Sequence, residues 1–165
     1  MIIWQDTREQ SPLDFSGYDI VTEVKHSKLD CGDYCVQFKN GFIPAVRWER
    51  KSIPDLFGTL GKGHDRFKEE IQRAKDFDVK LMLLIEGTIA DISNGTYYST
   101  IDGDRIVKTV FSLWERYNLY PVFCVDRNEC SRFIVEVGSA IGRKAIRDLK
   151  KSKKIVTKEI DKVKV

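Results

Sequence analysis

A nearly continuous apolar run at residues 79–85, VKLMLLI, constrains the fold of this chain more than any other feature. A strand that is apolar on both faces belongs inside a sheet with a layer of structure on each side. Residues 64–77 and 104–117, before and after this run, place apolar side chains at helical spacing. Further strand-like runs lie at residues 1–5, 20–24 and 120–125. The sequence therefore predicts an α/β fold with a mixed central sheet flanked by helices.

The segment from Cys31 to Asp55 resembles two strands joined by a turn. Residues 35–38 alternate loosely in polarity, and residues 42–48 are rich in apolar and aromatic side chains. Asn40-Gly41 between them is a dipeptide typical of β-hairpin turns. Pro44 cannot donate to the strand ladder, so it marks a candidate bulge that could adjust the register.

The register of this hairpin decides whether Asp33 joins Glu49 and Lys51, which share one face of their strand while Arg50 takes the other. A two-residue turn would put Asp33 on the wrong side of the sheet. A three-residue loop with glycine in the left-handed position would set Asp33 opposite Arg47, on the face of the other two. We expect the arrangement that brings the acids and the lysine together.

Two carboxylates and a lysine on one face are suited to phosphodiester hydrolysis. Asp33 and Glu49 offer the hard oxygen ligands that Mg²⁺ (or Mn²⁺) takes while it retains several waters. Such a metal polarises a phosphoryl oxygen and lowers the pKa of a bound water. Lys51 would orient that water or offset the charge that develops on the phosphate. The alternative is that these are ordinary surface charges beside a hairpin.

Several motifs in this order carry a resemblance to a known family. The pattern GDY at 32–34 followed by ERKSIPDL at 49–56 resembles the signature of XPF-type structure-selective nucleases, within the PD-(D/E)xK superfamily. DTREQ at 6–10 resembles the element that opens this nuclease domain. RFKEEI at 66–71 and LMLLIEG at 81–87 also fall where that domain would have them.

The resemblance covers roughly residues 1 to 138 and is greatest to compact bacterial and phage proteins that carry this domain alone. It implies a restriction-endonuclease-like fold, with residues 1–142 as the nuclease domain and 143–165 as a basic C-terminal helix or tail. It also implies a metal-dependent endonuclease that cuts branched, flapped or single-strand-containing DNA, as in DNA repair and recombination.

By this resemblance, Asp33, Glu49 and Lys51 are the catalytic residues, with both acids as metal ligands. The expected supporting residues are Asp6, Arg8, Glu9, Arg50 and Asp55. Asp6 would back the acidic cluster or supply a further metal ligand, whereas Arg8 and Glu9 could instead form a local ion pair. Asp55 would hold Arg50 or Lys51, or else simply favour the start of a helix after the N-cap Ser52.

Basic residues concentrate at the end of the chain. From Arg143 onward there are ten Lys/Arg and three Asp/Glu, a net charge of +7, so residues 1–142 carry −4 of the total +3. The candidate DNA contacts are Lys62, Arg66, Arg143, Lys144, Arg147, Lys150 and Lys151. The tail could equally be a solvated helix end, and Val156, Ile160 and Val163 at helical spacing allow a docking or dimerising helix.

DNA is the expected partner, and few segments of the sequence are obvious candidates for recognising it. The tandem helix-hairpin-helix domain of many XPF-type nucleases is missing, so we expect recognition from the basic tail, a homodimer or a partner protein. Tyr97 and Tyr98 could stack on exposed bases. A rival hypothesis is a non-catalytic DNA-binding subunit of the same fold that recruits a partner enzyme.

The remaining composition favours an intracellular protein. No stretch is long and apolar enough to cross a membrane, and the N-terminus lacks a basic region and a cleavage site. Cysteines 31, 35, 124 and 130 have spacings that fit standard zinc sites poorly. We expect free, mostly buried thiols, with a structural zinc as the alternative.

Overall fold

The computed structural model describes residues 1–95 and 100–163, with side chains in the last segment described as far as residue 152. Its centre is a six-stranded mixed sheet flanked by helices, which confirms the predicted α/β class. Tyr97 and Tyr98 lie outside the described residues. Among the described helices, none combines the length and the apolar character needed to span a membrane.

The secondary structure alternates strands with helices after the initial hairpin. The strands are β1 (Ile2–Asp6), β2 (Glu23–Ser27), β3 (Tyr34–Gln37), β4 (Val46–Ser52), β5 (Lys80–Glu86) and β6 (Tyr120–Cys124). The helices are α1 (Ile53–Leu60), α2 (His64–Asp76), α3 (Ile89–Ser93), α4 (Gly103–Tyr117) and α5 (Arg127–Val163). The strand expected at residues 20–24 lies later than predicted, at Glu23–Ser27, and in the connection before it the Thr22 amide donates to the Met1 carbonyl at 2.9 Å.

The sheet order β2-β1-β3-β4-β5-β6 combines both pairing directions. β2 runs parallel to β1, and β3 is antiparallel to both β1 and β4. β4, β5 and β6 are parallel, so each step between them needs a crossover, which α1–α2 and α3–α4 provide. The carboxyl end of β4, which carries the candidate catalytic residues, therefore leads directly into α1.

β5 is buried on both faces, as the apolar run predicts, and separates two cores. On one face Leu83 and Ile85 pack with residues of α1, α2 and α4. On the other face Leu84 packs with Trp48 of β4 and with Ile134 of α5. Two layers of helix thus hold the central strands from opposite sides, which fixes the strand ends where the site lies.

α5 is one continuous helix that crosses the expected boundary between residues 142 and 143. Its first turns are buried against the sheet through residues such as Cys130 and Ile134, whereas Ile146 and Leu149 further along are exposed. All four cysteines are free and buried, as expected from their spacing.

Candidate active site

The hairpin turn has the three-residue geometry favoured by the sequence. The Phe38 amide donates to the Phe42 carbonyl at 2.9 Å, and the Gly41 amide donates to the Phe38 carbonyl at 2.8 Å. Gly41 has φ +83°, the left-handed conformation that a glycine adopts without steric cost. The Asn40 side chain accepts a hydrogen bond from the Phe42 amide at 3.1 Å.

The strand register differs from the expected one by two residues. Tyr34 pairs with Trp48, which sets Asp33 opposite Glu49, so the expected pairing of Asp33 with Arg47 is wrong. Residues 43–45, which include Pro44, lie outside the strands and lengthen the returning side of the hairpin. Because side chains alternate with a period of two, a two-residue shift keeps Asp33 on the face of Glu49.

Asp33 is held by the backbone of two neighbouring strands. Its amide donates to the Trp48 carbonyl and its carbonyl accepts from the Asp6 amide, both at 2.8 Å. Its Oδ2 accepts a hydrogen bond from the Arg50 amide at 2.8 Å. Three bonds therefore fix the position of the carboxylate relative to β1 and β4.

Gly32 and Glu70 add a support for Asp33 that sequence reasoning missed. Gly32 has φ +70°, and an added Cβ would lie 3.0 Å from the Arg47 Cβ and 3.1 Å from the Trp48 carbonyl oxygen. Its amide donates to Glu70 Oε1 at 2.9 Å. The sequence could have indicated Glu70, because this acid of RFKEEI stands close to Phe67 and Ile71, two buried residues of α2.

The two acids and the lysine meet in an open cleft of about 480 Å³. Its lining combines the ends of β3 and β4 with α1, α2 and the Gly63 turn. The residues that line it are Arg8, Gly32, Asp33, Glu49, Lys51, Pro54, Asp55, Gly58, Thr59, Gly63, Arg66, Phe67 and Glu70. Both signs of charge thus face the same concave space.

The charges in this cleft are incompletely balanced. Lys51 Nζ is hydrogen-bonded to Glu49 Oε1, and Glu49 is only 5% exposed. Burial, and next the charge of Glu49, raise the pKa of Asp33 to about 8. Burial also raises the pKa of Glu49, while the pKa of Lys51 is raised because its two acidic neighbours outweigh the effect of its burial. Lys51 is bonded to Glu49, so a further cation beside Asp33 would favour the ionised form of that carboxyl group.

These donors fit a hard divalent cation bound partly through water and substrate. No three His, Cys, Asp or Glu side chains meet as a metal cluster anywhere in the described ranges 1–95 and 100–152. Mg²⁺ characteristically uses one or two carboxylates and keeps several waters or phosphate oxygens. The Asp33 and Glu49 carboxylates lie on facing positions with unbalanced charge, which a cation would stabilise.

Asp6 lies behind the wall of the cleft and is not one of the residues that line it. It is 1% exposed, and its carboxylate accepts bonds from the Arg8 guanidinium at 2.7 and 2.8 Å and from the Leu29 amide at 2.7 Å. With both oxygens occupied, Asp6 is placed to orient Arg8, which lines the cleft. The expected alternative of an Arg8–Glu9 ion pair is wrong, because Arg8 pairs with Asp6.

Arg50 projects from the opposite face of β4, where it contacts Glu9 from the segment after β1. The Arg50 guanidinium contacts Glu9 Oε1 at 3.0 Å and Glu86 Oε1 at 2.8 Å. Glu9 therefore pairs with Arg50 across the structure, a contact between residues 41 positions apart. The side chain of Arg50 stabilises the fold, while its backbone amide bonds Asp33.

Asp55 lies in the first turn of α1, as expected from the prediction that it favours the start of a helix. The Ser52 hydroxyl donates to Asp55 Oδ2 at 2.5 Å and accepts from the Asp55 amide at 3.3 Å. This is an N-cap of α1 with an acid in the first turn. The bonds of its side chain given by the structure go to Ser52, so the expectation that Asp55 holds Arg50 or Lys51 is wrong.

The candidate DNA contacts are scattered. Arg66 lines the cleft, whereas Lys62 is exposed in the turn between α1 and α2 and does not line it. Exposed positions on α5 hold the described part of the basic tail: Arg143, Lys144, Arg147, Lys150 and Lys151. The structure therefore places one of the seven side chains directly at the catalytic groups.

Comparisons with known proteins agree with this architecture. A family model of the ERCC4 domain matches residues 5–137. A structure of XPF from Aeropyrum pernix has a TM-score of 0.68 and 18% identity, over 90% of this chain and 69% of that chain. A structure of XPF from Aeropyrum pernix in complex with DNA has a TM-score of 0.64 and 19% identity, over 87% of this chain and 66% of that chain.

The chain thus spans about two thirds of the length of these two structures. The comparison with curated proteins finds no match. At this level of identity the structural likeness shows a shared fold, and the family model covers most of the described sheet and helices. The chain belongs to the ERCC4 domain family, the XPF-type nuclease domain.

Proposed function

We propose that this protein is a divalent-metal-dependent DNA endonuclease that prefers branched, flapped or single-strand-containing DNA. The observation that carries the proposal is the facing pair Asp33 and Glu49, with Lys51 bonded to Glu49, inside one open cleft. Burying two carboxylates side by side is costly, and a module that only binds DNA has no use for it. Membership of a nuclease-domain family supports the same chemistry.

Five residues of the cleft have proposed tasks in phosphodiester hydrolysis. Asp33 and Glu49 would hold Mg²⁺ or Mn²⁺, which when bound polarises a phosphoryl oxygen and lowers the pKa of its water. Lys51 keeps the Glu49 carboxylate in place and orients the attacking water or stabilises charge on the phosphate. Arg8 and Arg66, both at the cleft wall, are positioned to contact neighbouring phosphates.

A substrate panel tests this proposal directly. Flap, fork, junction and linear duplex DNA would be incubated with the protein in Mg²⁺, in Mn²⁺ and in EDTA. We expect cutting that requires metal and is faster on the branched substrates. Binding without cutting in either metal would instead identify a non-catalytic DNA-binding subunit. Equal rates on all substrates would remove structure selectivity.

Changing Lys51 to alanine should slow cutting while the fold and metal binding persist. Loss of one preorganised electrostatic group typically costs about 10²–10³-fold in rate. Single-turnover cleavage at saturating DNA measures the effect, with Lys39→Ala, on the distant hairpin turn, as the matched control. Wild-type rates in the Lys51 variant would exclude this lysine from the mechanism.

The basic tail is proposed as a separate DNA-contacting segment, residues 143–165, beside the domain formed by 1–142. Removing it should weaken DNA binding and flatten the salt dependence, because fewer phosphates are neutralised. Binding titrations at several salt concentrations measure the slope. An unchanged slope after truncation would leave recognition to a second copy of the chain or to another protein.

A further inference from the structure

A second concave surface lies beside the catalytic cleft, between α2 and α4. This α2–α4 groove has a volume of about 380 Å³. Its lining includes His64 and Lys68 of α2 and Arg105, Lys108, Ser112 and Arg116 of α4. None of these residues was singled out as a DNA contact by the sequence.

The charge of the α2–α4 groove is uniformly positive. Four of its lining side chains are Lys or Arg, and no carboxylate lines it. Lys68 pairs with Asp65 at 3.5 Å, but Asp65 is 96% exposed and screened by water. Arg105, Lys108 and Arg116 form no ion pair with any described residue.

The positive side chains of α4 form a straight stripe. Arg105, Lys108 and Arg116 are separated by three and eight residues, which puts them on one face of the helix, with the Ser112 hydroxyl between them. At 1.5 Å per residue the stripe is about 16 Å long. Its three cations can contact about three phosphates of one DNA backbone, one for each side chain.

The groove and the catalytic cleft share α2 as a common wall. Arg66 lines the cleft, whereas His64 and Lys68, two positions to either side, line the groove. The Nδ1 atom of His64 is buried and has no hydrogen-bond partner among the described residues. A polyanion bound at the catalytic groups therefore needs to cross only the first turn of α2 to reach the stripe on α4.

We propose that the α2–α4 groove is a second phosphate-binding track, which holds the sugar–phosphate backbone of the DNA arm that continues from the catalytic cleft. The inference rests on the proposed nuclease function for its ligand, and adds where the DNA runs. Flexible cations and a hydroxyl recognise phosphate charge without reading bases. The track therefore binds DNA independently of sequence and adds affinity only for substrates long enough to reach it.

The test combines Arg105→Gln, Lys108→Gln and Arg116→Gln in one variant. Fluorescence anisotropy in EDTA measures DNA affinity as a function of salt. We expect the slope of log K against log salt to fall by about 2–3 for a long duplex, at about 0.9 per lost phosphate contact. A duplex too short to reach beyond the cleft should bind variant and wild type alike. The matched control is Lys25→Gln, Lys39→Gln and Arg132→Gln, three cations outside both concavities.

Two further measurements separate charge from folding. Arg105→Lys with Arg116→Lys keeps both charges and should keep the wild-type slope, and thermal unfolding checks that all variants are folded. The three single variants should each lower the slope by about 0.9. If the charge-retaining variant loses the slope as well, or if the triple variant matches its control, the track is overturned.

The outcomes also distinguish this inference from the proposed nuclease function. A wild type that binds DNA through the groove but never cuts it would contradict the nuclease proposal and support the track. A triple variant that binds and cuts like its control would contradict the track and leave the nuclease proposal intact. If the track is correct, the triple variant should need a higher DNA concentration for half-saturation than the wild type. Its single-turnover cleavage rate at saturating DNA should then equal that of the wild type.

Discussion

Replacing Asp33 by asparagine should lower the DNA-cleavage rate by at least about 10²–10³-fold and raise the melting temperature of the metal-free protein. The amide cannot supply the anionic oxygen that a divalent cation takes, so cleavage falls. The same change removes a group whose ionisation beside Glu49 is disfavoured in the fold, so above about pH 4 the fold gains stability. Asparagine still accepts the hydrogen bond from the Arg50 amide, and the local geometry is kept.

The stabilisation should depend on pH in a defined direction. The ordinary Asp33 pKa of 3.8 is raised to about 8 in the folded protein, so the unfolded chain releases this proton first. Wild-type stability in EDTA therefore falls as pH rises from about 4 to about 8, and the advantage of Asp33→Asn grows over that range. Thermal unfolding at several pH values measures the difference.

Metal and a matched substitution complete this experiment. Mg²⁺ should raise the melting temperature of the wild type and leave that of Asp33→Asn nearly unchanged, because only the former binds it well. Asp14→Asn serves as the control, since Asp14 accepts the Ser16 amide bond in a surface loop outside the cleft. Asp33→Asn that cuts DNA at the control rate would remove Asp33 from the metal site.

Replacing Arg50 by alanine should destabilise the fold by about 3–5 kcal/mol, the usual effect of breaking a buried ion pair. Arg50 is 6% exposed and bonds Glu9 and Glu86 at once. Without Arg50, the largely buried carboxylates of Glu9 and Glu86 lose the cation that they share. The half-exposed Arg127, 3.8 Å from Glu86, then remains as a cation beside Glu86. We expect a fall in melting temperature of about 6–20 °C, measured by calorimetry.

Two companion variants sharpen the interpretation of Arg50→Ala. Arg50→Lys keeps the charge but not the planar fork, so an intermediate loss of stability is expected. Lys25→Ala breaks an exposed pair with Glu23, worth about 0–1 kcal/mol. If Arg50→Ala is no less stable than Lys25→Ala, the Glu9–Arg50–Glu86 cluster does not stabilise the contact of the segment after β1 with β4 and β5.

Local patterns in the sequence were sufficient to predict the layers of the fold. The run at residues 79–85 predicts a strand covered on both faces, and β5 is that strand. Gly41 predicts a left-handed turn residue, and Ser52 with Asp55 predicts the start of α1. These features depend on neighbours along the chain, whose physical effects act over a few residues.

The partners of the charged residues could not be predicted in the same way. The sequence suggested an Arg8–Glu9 pair and a role for Asp55 beneath Arg50, yet Glu9 pairs with Arg50 and Arg8 with Asp6. A charged side chain is compatible with many partners, and its choice depends on which strand lies beside it. Glu70 was missed for the same reason, since its contact with Gly32 joins residues 38 positions apart.

The sequence by itself determined that Glu49 and Lys51 share a face, because strand periodicity is fixed by the geometry of the backbone, and it made the place of Asp33 depend on the hairpin register. Only the tertiary structure decided that Asp33 lies opposite Glu49 and that Arg50 pairs with Glu9 and Glu86. It also decided that the positive stripe of α4 lies beside the cleft. Those relations depend on how β4 is inserted between β3 and β5 and on how the helices pack against them. Such packing is the sum of many weak contacts between residues far apart in the sequence, and no local sequence pattern indicates it.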